Sequence, residues 1–248
     1  LKITVITAVF NRPETIGQAI DSVANQTFTD VEHLIIDGAS TDATMTEIER
    51  HRHSSMIVHS EPDAGIYDAL NKGVQKASGD IVGVMHSDDL FAHENVLTLV
   101  SNTMSDRNLD AVYGDLQYVS AADENKVIRH WVSGEYSPAK LRRGWMPPHP
   151  TMYLRRNVFE KFGAYDTSYS IAADYEAFLR WFGRGKLRMG YIPQVLVKMR
   201  VGGESNRSLG RILRKSREDY RALRGNEIGG LGTLALKNLR KVSQFVAK

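Results

Sequence analysis

Residues 2–87 alternate between short β-branched runs and helix-compatible stretches, and this rhythm restricts the fold more than any other feature of the chain. The runs are KITVITAV (2–9), VEHLIIDGA (31–39), SSMIVHSE (54–61) and GDIVGVMHS (79–87). Between them lie RPETIGQAIDSVANQ, STDATMTEIERH and GIYDALNKGVQKA (65–77). In the first of these, Ile16, Ile20 and Val23 recur at i, i+4 and i+7, one face of a 3.6-residue period. Ser40 and Asp42 read as caps of the second. The order βαβαβαβ predicts an α/β fold with a mainly parallel sheet and right-handed crossovers. In such sheets ligands bind beyond the carboxyl ends of the strands. The polar residues there carry most weight: Thr7, Phe10 and Asn11 after the first run, Asp37 after the second, Glu61 and Asp63 after the third, Asp88 and Asp89 after the fourth.

Asp88 and Asp89 pose the sharpest question, because adjacent carboxylates repel and are costly to desolvate. A helix cap or a solvated turn would account for them without function. Otherwise they form a hard-oxygen site suited to Mg2+ or Mn2+, which keeps waters and takes its remaining ligands from substrate phosphates. The chain has no GxxxxGK[ST] loop, and no GxGxxG turn follows the first run. A diphosphate bound here would therefore lack a glycine-rich cradle of backbone amides and would depend on the metal for neutralisation.

Cysteine is absent from the 248 residues, which excludes disulfides, thiolate-held zinc and a cysteine nucleophile, and suits a reducing compartment. The opening LKITVITAVFNRP is too short an apolar run to span a membrane and lacks a small-residue cleavage signature, so it reads as a first strand. Beyond residue 110 the rhythm loosens. DAVYGDLQYVS and ENKVIRHWVSG read as strands, and a Pro-rich passage, YSPAKLRRGWMPPHPTMYLRR, leads into another, so antiparallel additions are expected. SYSIAADYEAFLRWFGRG reads as a turn and helix, with Tyr175, Phe178, Leu179 and Phe182 on its apolar face. Asp174 falls in its first turn, where the helix dipole favours an ionised carboxylate.

Charge divides the chain. Residues 207–248 hold 11 Lys+Arg and 3 Asp+Glu, net +8, whereas residues 1–206 hold 21 and 26, net −5. The basic stretch reads as two amphipathic helices, hinged at GNEIGGLG. Leu209, Ile212, Leu213, Tyr220 and Leu223 mark the first, and Leu231, Leu234, Leu239, Val242 and Phe245 the second. Such helices suit an anionic membrane surface. The alternatives are packing on the acidic body or on a second copy of the chain, a homodimer.

Four stretches, TAVFNRPETIGQAIDSVANQTFTDVEHLIIDGASTD, SEPDAGIYDALNKG, GDIVGVMHSDD and IAADYEAFLR, resemble in order and spacing the family 2 glycosyltransferases of GT-A fold, nearest the branch that assembles bacterial surface polysaccharides. The resemblance covers about residues 1–205. It implies a Rossmann-like GT-A domain over 1–206, with a nucleotide-sugar-binding half (1–110) and an acceptor-binding half (111–206), followed by the basic helical tail 207–248. It implies an inverting, Mn2+- or Mg2+-dependent transfer from a nucleotide-sugar donor, a UDP-sugar first among them, to a polyprenyl-diphosphate-linked or oligosaccharide acceptor. The setting it implies is cytoplasmic, peripheral at the inner face of the cell membrane. Asp88 matches the position nearer the ribose and metal, and Asp89 the metal ligand. Thr7, Val9 and Asn11 match the segment lining the nucleoside. Asp37 matches the first acid of the family's strand-two motif, but Gly38 stands where many members have a second acid, and Asp63 is its expected substitute. Asp174 matches the general base, which an acceptor hydroxyl needs because its own pKa lies far above neutral.

Other residues keep two readings. His149 borders the acceptor or metal in relatives, or is structural. Arg155 and Arg156 pair with phosphate or are solvated. Trp131 and Trp145 stack on sugars or fill the core. RVGGESNRS (200–208) is a loop closing over the diphosphate or a linker. For the whole chain the alternatives are a sugar-nucleotide nucleotidyltransferase, which would want a Gly-rich, Arg-containing loop where VFNRPET stands, and a non-catalytic nucleic-acid-binding protein. The second would leave the strand-end carboxylates unexplained, because they repel phosphates; no nucleic-acid partner is expected.

Overall fold

Strand β1 (Ile3–Val9) is buried along its whole length and forms the axis of a sheet in the computed structural model, which describes residues 1–201 and 209–246. It pairs in parallel with β2 (Val31–Asp37) on one side and β4 (Ile81–Val84) on the other. Strand β3 (Met56–Ser60) joins β2, also in parallel. The crossovers are α1 (Ile16–Ala24), α2 (Thr44–Arg50) and α3 (Ile66–Lys76). Alternate residues of a strand face opposite sides. Ile6 and Ala8 accordingly pack with Ala69 and Leu70 of α3, while Val9 meets Ile16 and Ile20 of α1 and Ile48 of α2. The register sets Val9 beside Asp37 and Asp37 beside Ser60, so three carboxyl ends form one edge.

Two local expectations need correction. The fourth strand stops at Val84, and the backbone turns, with Asp89 N–H donating to His86 O at 3.1 Å. Asp89 then opens a separate strand, β5 (Asp89–Phe91), so Asp88 lies in the turn and Asp89 just after it, neither on the end of the fourth strand itself. At α2 the N-cap position falls on Ala43; Ser40 bonds Asp37 instead, and Asp42 accepts from Thr44 N–H at 2.9 Å.

After α4 (Val96–Arg107) the sheet continues without a break. Strand β6 (Ala111–Val119) pairs antiparallel with β7 (Val127–Trp131) and β8 (Tyr153–Arg155). Strand β8 also pairs antiparallel with β4, which joins the two halves. A long strand absent from the sequence reading, β9 (Met189–Arg200), runs parallel to β6 and antiparallel to β5. The order across the sheet is β3-β2-β1-β4-β8-β6-β9-β5, with β7 on β6. The short helices α5 (Pro138–Leu141), α6 (Arg156–Phe162) and α7 (Ala173–Phe178) cover the second half, and wider turns over Leu179–Arg184 extend α7. Tyr175, Phe178, Leu179 and Phe182 are buried there, as their spacing predicts.

The basic stretch forms α8 (Leu209–Gly225) and α9 (Leu231–Val246). Their faces differ. Ala222 and Leu223 are buried in one cluster with Tyr175, Phe178 and Trp181, and Leu234 packs against it. Ile212, Leu213, Leu231, Leu236 and Leu239 are exposed. No described helix is long and apolar enough to cross a membrane.

Candidate active site

The edge made by β1, β2 and β3 is a closed polar lattice. Asn11 (φ 51°) and Ala39 (φ 60°) hold left-handed backbone conformations just beyond β1 and β2, unusual for residues with a Cβ. Asn11 N–H donates to Ser40 Oγ at 2.9 Å, and Thr41 N–H to Asn11 Oδ1 at 3.0 Å. Asp37 is fully buried and accepts from the Ser40 N–H, from the Ser40 hydroxyl at 2.5 Å and from the Ser60 hydroxyl at 2.6 Å. The Thr7 hydroxyl lies 3.0 Å from His33 Nε2, and His33 Nδ1 lies 3.1 Å from His53 Nε2. Burial drives the His33 pKa down to about 3, with His53 adding to the shift, so His33 is neutral at neutral pH. The side chains of Thr7 and Val9 therefore point into the interior, and any contact they make with a ligand is through backbone.

Asp63 takes the place the sequence left vacant at Gly38. A Cβ on residue 38 would stand 2.5 Å from Asp63 Oδ2 and 3.3 Å from the Phe10 ring. Phe10 is 55% exposed, so an open aromatic ring and a carboxylate flank the same glycine. Asp63 Oδ1 accepts from Gly65 N–H at 2.8 Å, which fixes its direction.

A second cluster collects side chains from four elements. The β4–β5 turn carries His86 and Asp88, the 3-10 turn His149–Thr151 carries His149, the N-terminus of α7 carries Asp174, and α3 carries Tyr67. The His86 and His149 rings are 5.9 Å apart, and His149 Nε2 lies 2.8 Å from the Tyr165 hydroxyl. Tyr67 donates to Ile171 O at 2.8 Å and reaches Asp174 Oδ1 at 3.4 Å; Tyr175 N–H donates to Asp174 Oδ1 at 2.8 Å. Burial pushes the His149 pKa down to about 4, and His86 pushes the same way, against the pull of Asp174. His86 is also shifted down by burial, although Asp88 and Asp174 both oppose it. For Asp174 burial raises the pKa, but His149, Lys215, Lys237 and the Tyr175 N–H together outweigh it and hold the carboxyl below its usual range. At neutral pH the cluster thus offers neutral imidazoles beside an ionised carboxylate.

The two adjacent acids are treated differently. Asp88 is partly exposed, and its carbonyl accepts from Arg200 at 2.8 Å. Arg200 also contacts Gln18 and lies 3.5 Å from Glu124, so it ties the turn to the end of β9. Asp89 is 1% exposed, and among the described residues neither of its carboxylate oxygens has a donor in good hydrogen-bond geometry. Burial, then the Asp88 charge, push its pKa well up, and the nearby Arg200 backbone N–H and guanidinium charge offset only part. A buried carboxylate left without donors, beside a second carboxylate, fits a hard divalent cation, whose charge would satisfy both. Among the described residues no group of three or more His, Asp or Glu side chains could hold a metal unaided, so the remaining ligands would come from substrate and water.

Asp88, Asp89, His149 and Asp174 thus belong to one part of the molecule, and Asn11, Asp37 and Asp63 to the neighbouring edge. Trp145 is core: its indole donates to Ser133 O at 3.1 Å and its ring packs edge-on to Tyr113 and Phe178. Trp131 stacks on Tyr118. Arg155 staples the carbonyls of Leu109 and Met104, and Arg156 sits on the surface near Glu160. Of the loop 200–208 only Arg200 and Val201 lie within the described residues. His86, Tyr67 and Tyr165 were missed from sequence; for His86 the signal was its place two residues before Asp88.

The family model described as "Glycosyl transferase family 2" matches residues 4–171, well over half of the chain. The chain belongs to glycosyl transferase family 2. A "PGL/p-HBAD biosynthesis glycosyltransferase" of Mycobacterium bovis (strain BCG / Pasteur 1173P2) is 28% identical over 208 residues, covering 82% of this chain and 78% of the relative. The chondroitin synthase of Pasteurella multocida (strain Pm70) is 26% identical over 188 residues, 75% of this chain but 19% of that protein. Among solved structures, S. aureus TarS 1–349 in complex with UDP-GlcNAc superposes with a TM-score of 0.71 at 16% identity, covering 92% of this chain and 66% of that one. The mannosyltransferase PcManGT from Pyrobaculum calidifontis, in complex with GDP-Man and Mn2+, superposes with a TM-score of 0.68 at 17% identity, covering 100% and 76%. The chain spans 39% of the longer TarS chain. The fold is that of the GT-A glycosyltransferases, and this family 2 member is a glycosyltransferase.

Proposed function

We propose that this family 2 glycosyltransferase transfers a sugar, with inversion, from a nucleotide-sugar donor, a UDP-sugar first among them, to a polyprenyl-diphosphate-linked or oligosaccharide acceptor in surface polysaccharide assembly. The observation that carries the reading is Asp174, a carboxylate held ionised at the head of α7 in the same cluster as the Asp88–Asp89 turn. Its oxygen takes the acceptor hydroxyl proton as the new bond to the sugar C1 forms, and the C1–O bond to the nucleoside diphosphate breaks with its electron pair leaving on that oxygen. A single carboxylate suffices for inversion. Mn2+ or Mg2+, held by Asp88 and Asp89 when bound, supplies charge neutralisation to the leaving diphosphate. His86 and His149 are neutral and orient polar groups without adding charge. Phe10 and Asp63 flank the nucleobase, and Asp37, with Asn11, Thr7 and Val9, keeps that edge in shape.

The names of the relatives agree with this reading: one structural neighbour is described with UDP-GlcNAc, another with GDP-Man and Mn2+. For the acceptor, the basic α8–α9 pair presents Ile212, Leu213, Leu231, Leu236 and Leu239 outward. That combination suits the anionic inner face of a cell membrane and supports a cytoplasmic, peripheral setting for the enzyme. Substituting these exposed residues by serine, not deleting the helices, should abolish flotation with anionic liposomes; unchanged flotation, or concentration-dependent dimerisation through the same residues, would count against it.

The test of the reaction is slow donor hydrolysis. Purified protein with manganese and a panel of UDP-GlcNAc, UDP-glucose, UDP-galactose and GDP-mannose should release nucleoside diphosphate from one of them, and Asp174→Asn should stop it. Pyrophosphate-dependent release of nucleoside triphosphate would favour a nucleotidyltransferase instead. Salt-sensitive binding of random oligonucleotides without turnover would favour a nucleic-acid-binding protein.

A further inference from the structure

Asp174 is weakly anchored by its own neighbourhood. Among the described residues its carboxylate accepts from the next residue's N–H at 2.8 Å and, at the longer distance of 3.4 Å, from the Tyr67 hydroxyl. Its direction therefore follows the backbone that delivers it, and that backbone is held from outside. Ala172 occupies the N-cap position of α7 and has no side chain able to cap. The amides at such a helix start lack intrahelical acceptors. Glu218 of α8 supplies one: its Oε2 accepts from the Ile171 and Ala172 N–H groups at 2.8 and 2.9 Å, and its Oε1 from the Ser170 N–H at 3.1 Å and the Ser170 hydroxyl at 2.8 Å.

The same helix pair grips both flanks of this segment. On the upstream side Arg221 donates to Ser168 O at 2.9 Å and lies 3.6 Å over the Tyr169 ring. Downstream, Asn226 donates to Glu176 Oε1 at 3.3 Å. Lys237 of α9 forms a buried ion pair with Asp219 of α8 at 2.7 Å, and its ammonium stands 3.1 Å from the centre of the Tyr175 ring. Burying two charges is costly unless the pair is well made, and a cation over an aromatic face is directional. The arrangement spends that cost on the residue next to Asp174.

We propose that α8 and α9 are part of the active centre, with Glu218 and Lys237 as positioning residues that hold segment 168–176 and so aim the Asp174 carboxylate. The proposal rests on the reading of Asp174 as the base. It gives the basic helices a role that does not depend on any membrane: their inner face sets the catalytic geometry, and their outer face stays available for a surface. Removing them would abolish turnover even with a water-soluble substrate.

The experiment compares Glu218→Gln, Lys237→Met, Lys237→Arg and Asp174→Asn in the full chain. The probe is manganese-dependent hydrolysis of UDP-GlcNAc, or of whichever of the four nucleotide-sugars is turned over fastest, with amide hydrogen exchange over 168–176 measured without donor. Because an ångström-scale misplacement of a reacting group is expensive, Glu218→Gln should lower kcat about tenfold with KM for the nucleotide-sugar unchanged, and should speed exchange at 170–172. Lys237→Met should lower kcat in the same way, and Lys237→Arg, which keeps the cation, should restore most of it. Wild-type kcat in Glu218→Gln, a loss expressed in KM, or unchanged exchange would overturn the proposal. If Glu218→Gln fails to fold, the Lys237 pair decides: equal kcat in the methionine and arginine variants would overturn it. Asp174→Asn separates the two levels. A dead Asp174→Asn beside a fully active Glu218→Gln removes only the positioning role, whereas a fully active Asp174→Asn removes the base assignment and this proposal with it.

Discussion

Asp37 and Asp89 are both carboxylates shut away from water, yet the two regions around them are built on opposite principles. Asp37 accepts three kinds of bond, from the Ser40 amide, the Ser40 hydroxyl and the Ser60 hydroxyl, and the edge it belongs to is complete in itself. Among the described residues Asp89 accepts no hydrogen bond of good geometry, and the charged groups that act on it are a second acid, Asp88, and the Arg200 guanidinium. A buried polar group without a partner costs about 1–3 kcal/mol, more if charged. That cost persists only where something else offsets it, which here is the ligand chemistry of the turn. A satisfied carboxylate is architecture, and an unsatisfied one is a place for a cation.

Asp174→Asn should produce the largest effect on this contrast, because it removes the proton acceptor but leaves both regions folded. Turnover should fall by about 10²-fold or more, with nucleotide-sugar affinity unchanged by calorimetry; a kcat near wild type would break the division between the two regions. The pH profile sharpens the point. The folded-state pKa of Asp174 lies below the usual range, so the base stays ionised, and its contribution to stability persists, as pH falls through mild acid; both are lost only below the ordinary carboxylate range. With manganese saturating, so that Asp89 stays ionised, an acid limb of kcat at or above that range would contradict the charge environment described for Asp174.

Asp37→Ala comes next and should act on stability. Leaving the Ser40 and Ser60 donors unpaired should cost about 3 kcal/mol in a denaturant titration, with kcat of the folded fraction preserved. A variant of wild-type stability that loses turnover would mean that the edge does chemistry. The smallest effect is expected from Asp63→Ala, beside Gly38 on the Asp37 edge. It should raise KM for the preferred nucleotide-sugar by about tenfold, the worth of one lost hydrogen bond to a charged group, and narrow the gap between uridine and guanosine donors; an unchanged ranking of donors would remove Asp63 from nucleobase contact.

The parallel half of the fold was legible because β1, β2 and β4 are buried on both faces and α1 keeps a clean 3.6-residue stripe, as Ile16, Ile20 and Val23 show. Strand β9 was not. Its pairing with β6 shifts register around Asp115, and Pro193 interrupts it, so its burial never alternates cleanly. Asp63 could be read as a substitute because Gly38 left a visible gap in a motif. The locking of Asp37 could not, since Ser40 comes from the loop after β2 and Ser60 from the end of the neighbouring strand β3, 23 positions away. The contact from Glu218 to Ala172 was equally hidden: the residues are 46 positions apart, and a glutamate on a basic amphipathic helix looks like surface. Trp145 was open between sugar stacking and core, and only packing against Tyr113 and Phe178 decides it.

The most direct measurement of the central contrast is thermal unfolding of the metal-free protein, titrated with manganese alone, in the wild type and in Asp89→Asn. The account expects manganese to raise the wild-type Tm by binding the folded state, and expects the metal-free Asp89→Asn protein to be at least as stable as wild type but indifferent to manganese. A wild-type Tm that manganese does not move, or an Asp89→Asn protein stabilised as strongly as the wild type, would contradict it.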